Sequence, residues 1–136
     1  MNNSYNNFNL AISTKIYFGE KSFSNILSIL IKDNIKSILI ISSVRTVKTP
    51  EMLNIIEKIK IEKIKIYFNS DVKEDPTISQ ADACYKIYKD KNIECVLGIG
   101  GGSAQDLSKS VASSLDLKVK TSELFINQSL LKKRKI

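Results

Sequence analysis

Residues 96–109 read Val-Leu-Gly-Ile-Gly-Gly-Gly-Ser-Ala-Gln-Asp-Leu-Ser-Lys. An apolar run closes on three consecutive glycines, Gly100, Gly101 and Gly102, then Ser103, and a helix-patterned segment begins at once. Strand, glycine turn, helix is how a chain presents bare backbone N–H groups to a phosphate. Glycine admits positive φ and lets a ligand come close, and the helix adds unpaired amides and the positive end of its dipole. The Rossmann pattern G-x-G-x-x-G fails because position 103 is serine, and the P-loop fails because no Gly-Lys pair exists. Ser103 and Asp106 also form a capping box, so a tight strand-to-helix turn is the competing reading. A plain turn rarely needs three glycines in succession, each with its entropic cost, which favours the phosphate cradle.

Working outward, the pattern alternates between strand and helix. Upstream, Glu94–Ile99 reads as the strand feeding the loop, and Ala104, Leu107, Val111 and Leu115 make the inner stripe of the helix after it. Thr77-Ile-Ser-Gln80 is a capping box that starts a helix reaching about Asp90, with Ile78, Ala81, Cys84 or Tyr85, and Tyr88 facing inward. Lys63–Phe68 is a strand, followed by the loop 69–75. Thr49-Pro50-Glu51 supplies an N-cap, a proline at the first helical position and an acid in the first turn. Met52, Ile55, Ile56 and Ile59 give that helix its apolar face. Ser37–Ile41 is a β-branched run suited to a strand buried on both faces. Ser22 caps an earlier helix bearing Phe23, Ile26, Leu27, Leu30 and Ile31, and Thr14–Phe18 reads as a short first strand closing on Gly19.

The fold class that follows is α/β: a partial doubly wound, mainly parallel sheet, Rossmann-like, with helices on both faces. The expected organisation is a frayed, Asn-rich start over 1–10, an α/β domain over 11–115 and a divergent basic tail over 116–136. That tail has no clear apolar period and reads as a poor helix or a disordered end. No further strand is read after the glycine-loop helix, where a doubly wound domain would be expected to have at least one more. There is no internal repeat.

Composition excludes several functions. At 136 residues the chain has room for one core, and 43% hydrophobic with 26% charged residues is ordinary for a soluble protein. No apolar run approaches the ~20 residues of a membrane-crossing helix, and the start lacks a signal-peptide core, so a cytoplasmic protein without membrane contact is expected. The net charge of +7 is concentrated at the end: residues 116–136 hold six Lys or Arg against two acids. The body has no basic stripe interleaved with aromatics, so no nucleic-acid partner is expected. Cys84 and Cys95 belong to no CxxC pair and read as buried thiols. Histidine is absent altogether, which removes the commonest general base and the commonest transition-metal ligand. No catalytic residue and no metal ligand is assigned.

The block Ile99–Lys109 resembles the glycine motif of the iron-dependent (group III) alcohol dehydrogenases, a superfamily shared with glycerol dehydrogenase and dehydroquinate synthase. Thr14–Gly19 is similar to that family's first strand and glycine, Ser37–Ser43 to its next strand, Asp75-Pro76-Thr77 to its Asn/Asp-Pro-Thr turn, and Asp90–Gly98 to the strand feeding the loop. The resemblance covers about residues 11–114. It implies a nicotinamide-dependent dehydrogenase of small alcohols and aldehydes whose α/β domain carries NAD or NADP. A helical domain with iron or zinc, held by one aspartate and three histidines, completes such enzymes. Carried over by position, the resemblance implies cofactor-binding roles for Gly100, Gly101, Gly102 and Ser103 at the pyrophosphate. Asp106 would hold the loop or approach the nicotinamide, and Asp75 would lie near the cofactor. Where many relatives place an aspartate on the adenosine ribose, this chain has Ser43 with Arg45 close behind, a slight lean to NADP.

After about Ser114 the resemblance stops, and the Thr-rich second cofactor loop and the metal domain have no counterpart in the 136 residues. The expectation is the cofactor half of such a dehydrogenase, from an interrupted gene and inactive alone. A non-catalytic nucleotide-binding module, or one half of a split enzyme with a complementing chain or a homo-oligomer, is the alternative.

Overall fold

The computed structural model describes residues 14–133. The expected frayed start over 1–10 lies outside them, as do Arg134–Ile136 of the basic end. Three parallel strands form the sheet: β1 (Ser37–Ser42), β2 (Lys65–Asn69) and β3 (Cys95–Ile99), in the order β2-β1-β3. Ile38 stands opposite Ile66 on one side and Cys95 on the other.

β1 is buried at all six positions because both of its faces are covered. Ile38 and Ile40 join Leu30, Met52, Ile55, Ile56, Ile59 and Ile64 in one core cluster. Leu39 and Ile41, pointing the opposite way, join Ala81, Cys84, Leu107 and Val111 in the other. The first cluster is closed by α1 (Asn25–Lys32) and α3 (Pro50–Ile61), the second by α4 (Ile78–Tyr88) and α5 (Gly102–Leu117). This is the α/β sheet with helices on both faces that the strand–helix alternation predicts.

Local chemistry sets most helix starts. Thr49 accepts from the Met52 N–H ahead of Pro50, and Thr77 accepts from the Gln80 N–H at 3.2 Å. Gln80 does not close the expected box; its Nε2 donates to the Asp71 carbonyl at 2.6 Å instead, tying α4 to the loop after β2. Ser22 is no cap: Lys21 takes a left-handed conformation (φ 62°), and a 3-10 turn over Ser22–Ser24 leads into α1. A four-residue helix α2 (Val44–Val47), which the apolar spacing does not announce, follows β1 directly.

Three expectations change. Thr14–Phe18 forms no strand; Ile16, Tyr17 and Phe18 are exposed, and none of the three strands pairs with them. A strand needs a neighbour for its backbone groups, which no local pattern supplies. Ile78 turns outward, leaving Ala81, Cys84 and Tyr85 as the buried face of α4. The stretch after Ser114 is neither patternless nor detached: α5 runs on to Leu117, and α6 (Thr121–Ile126) buries Leu124. The Ser122 N–H donates to Asp82 Oδ1 of α4 at 3.1 Å, and Thr121 pairs with buried Ser114 at 2.8 Å. No strand follows α5 among the described residues.

Candidate functional site

The chain leaves β1, crosses over one face to reach β2, then crosses the other face to reach β3 on the far side of β1. Connections from β1 and β3 therefore diverge at their carboxyl ends, and such a switch point opens a crevice. A cleft of about 220 Å³ lies there, lined by Ser43, Thr46, Val72, Lys73, Glu74 and residues 100–104.

Each wall has a physical origin. Buried Ser42 donates from Oγ to the Ile99 carbonyl at 2.7 Å, fixing the ends of β1 and β3 together. Gly98 lets β3 lie close on α5: a Cβ there would stand 2.7 Å from Ser108 Cβ. Gly100 takes φ +137°, a conformation that side-chain-bearing residues rarely adopt, and Gln105 Nε2 holds its carbonyl at 3.2 Å. Gly101 and Gly102 differ from both. Added Cβ atoms would meet nothing within 4 Å, and Gly101 has an unremarkable φ of −75°. Among the described residues no contact requires glycine at 101 or 102.

The first helical bond of α5 runs from the Gln105 N–H to the Gly101 carbonyl, so the amides of residues 101–104 precede the hydrogen-bonded ladder. The N-cap position is Gly101, with no side-chain cap. Ser103 thus sits inside the first turn and does not act as the capping residue of a Ser103–Asp106 box.

The structure brings Ser43, Gly100, Gly101, Gly102 and Ser103 together around this cleft. It does not bring in Asp75 or Asp106. Asp75 is exposed, with φ 48°, just before Pro76. Asp106 lies farther along α5, beside Pro76 and Thr77, with Lys109 Nζ 3.4 Å from its carboxylate. Ser43 is committed locally, since its Oγ accepts from the Thr46 N–H at 3.2 Å and pairs with Thr46 Oγ1 at 2.9 Å. Arg45 is exposed on α2 and is not among the lining residues.

Sequence reasoning missed Thr46 and the stretch Val72–Glu74. The available signal was topological: in a parallel sheet the loop after β2 leaves at the same carboxyl end as the glycine loop after β3. Neither cysteine lines the cleft. Burial pushes the Cys84 thiol up from 9.0 to about 11, against the opposing effect of the Asn69 amide that bonds it. Burial likewise raises Cys95. Neither is a poised nucleophile.

A profile of the iron-containing alcohol dehydrogenase family matches residues 13–136. The match runs past Ser114, where sequence reading ends the resemblance; α6 is within it. NADH-dependent butanol dehydrogenase B of Clostridium acetobutylicum is 28% identical over 130 residues, covering 93% of this chain and 32% of that protein. NADH-dependent butanol dehydrogenase A of the same organism is 31% identical over 109 residues, covering 79% of this chain and 28% of that protein. Among solved structures, an NADH-dependent butanol dehydrogenase A from Thermotoga maritima superimposes with a TM-score of 0.77 at 27% identity, over 88% of this chain and 30% of that one. The chain spans about a third of the length of the curated relatives it matches.

Proposed function

Because this chain belongs to the iron-containing alcohol dehydrogenase family, we propose that its cleft holds a nicotinamide dinucleotide for hydride transfer between a small alcohol and its aldehyde. The single observation that carries this reading is the pair Gly101 and Gly102. They stand at the mouth of α5 with open space where side chains would be, and no contact among the described residues accounts for them. A diphosphate accepting from the amides of residues 101–104 does account for them. Ser43 and Thr46 add hydroxyls on the facing wall. Both Clostridium relatives are NADH-dependent butanol dehydrogenases, which supports NADH; the lean to NADP through Arg45 has no support in the cleft lining.

The fit differs for the metal that the family name implies. The 136 residues contain no histidine, and among the described residues no three of His, Cys, Asp and Glu group as metal ligands. These residues do not fit an iron or zinc site, and the role left to them is to hold and orient the dinucleotide. When bound, the nicotinamide supplies the hydride acceptor or donor. The chain alone is expected to bind NADH and to show no aldehyde-dependent NADH oxidation with added Fe²⁺ or Zn²⁺.

Calorimetric titration of the 136-residue chain with NADH tests the reading. Binding is expected for the parent and loss of binding for Gly102→Val, whose added side chain occupies the cradle without touching the core. A Gly102→Val protein that binds as tightly as its parent would reduce the glycines to a turn.

A further inference from the structure

Lys73, in the loop between β2 and α4, lines the glycine cleft, and among the described lining residues it is the one cation. Lys73 has no ion-pair partner among the described residues. Three ties fasten the chain leading to it. Tyr88 donates to the Phe68 carbonyl at 2.5 Å, Asn69 Nδ2 to Cys84 Sγ at 3.3 Å, and Gln80 Nε2 to the Asp71 carbonyl at 2.6 Å. Gln80, Cys84 and Tyr88 are spaced four apart on α4, so one helix face pins the whole exit of β2.

We propose that Lys73 is the cationic contact for the dinucleotide's diphosphate, facing the glycine-loop amides across the cleft. The inference rests on the dinucleotide reading above. A cleft of about 220 Å³ is below the ~300–1,000 Å³ usual for a ligand pocket, so it takes the charged middle of a dinucleotide and leaves both nucleosides to project. Backbone amides and a helix terminus offer only partial charges, whereas the diphosphate brings full negative charge. Glu74 lines the same wall but repels an anion, so the ammonium of Lys73 is the group that can meet it. A lysine suits this place because its charge sits on a flexible stem and needs no fixed fork geometry.

The test compares NADH affinity of the parent, Lys73→Met, Lys73→Arg and a control, Lys86→Met on the exposed face of α4, at low and high salt. Lys73→Met is expected to bind about tenfold more weakly at low salt, a typical loss for one charge-assisted bond. It should also show a flatter salt dependence, with Lys73→Arg restoring most of the affinity and Lys86→Met behaving as the parent. Unchanged melting of Lys73→Met, expected for an exposed side chain, separates this from a folding defect. Equal affinity of Lys73→Met and parent overturns the inference while leaving the dinucleotide reading intact, provided Gly102→Val still abolishes binding. A parent that does not bind NADH overturns both.

Discussion

The glycines of the decisive stretch have separate physical reasons, and substitution can separate them. Gly98 is a packing glycine: a Cβ would lie 2.7 Å from Ser108 Cβ and 3.3 Å from the Ala104 carbonyl. Gly98→Ala is expected to cost about 1–3 kcal/mol by overpacking the β3–α5 contact, measured by denaturant unfolding. Gly101→Ala should leave stability within about 0.5 kcal/mol of the parent, because its added methyl meets nothing. Cys84 gives a pH signature. Its thiol titrates near 11 when folded and 9.0 when exposed, so the folded chain binds the proton more tightly. Stability from this group is complete below pH 9 and falls as pH rises towards 11. Cys84→Val should show a shallower decline than the parent when unfolding is followed across pH 8–11, the remainder coming from groups such as Cys95 that burial also raises. Residue-scale reading was incomplete at Ser43: it lines the cleft, and its hydroxyl also caps α2 by accepting from the Thr46 amide, which no local pattern announces.

At the scale of elements, β1 was the plainest part of the chain to read, since an Ile-rich run without polar alternation can only sit between two apolar layers. The α3 and α4 starts were equally plain, because Thr49 and Thr77 satisfy amides three residues on. Thr14–Phe18 misled because its strand character is local and its partner would have to be remote. The α6 segment reads only as a poor helix or a disordered end, for the opposite reason. It buries Leu124, and Asp82, forty residues earlier, holds its first turn. Asp82→Ala is therefore expected to loosen α6 alone. Amide exchange should quicken over residues 121–126 with β1 unaffected, for a loss of about 1 kcal/mol.

For the whole molecule, the strand order does what no segment does alone. Val72–Glu74 and the glycine loop lie about thirty residues apart in the chain, and they share a cleft because the path reverses across β1. That juxtaposition was not legible from spacing, which is why Lys73 and Thr46 were not singled out, whereas the glycine loop announces itself within one segment. The same order predicts a gradient of local stability. Amides of Leu39–Ile41, buried and paired on both sides, should exchange slowest, and those of residues 14–20 fastest.

The bond from Ser42 to the Ile99 carbonyl spans fifty-seven positions. The β1–α3–β2 half can close early through nearer neighbours, but the cleft has no second wall until β3 docks beside β1 and α5 starts behind it. On the proposed function, recognition is the final event of folding: binding competence is expected only once α5 has formed behind the cleft. The onset of NADH binding in a refolding experiment should coincide with the slowest phase, which makes the nucleotide a clock for completion of the sheet.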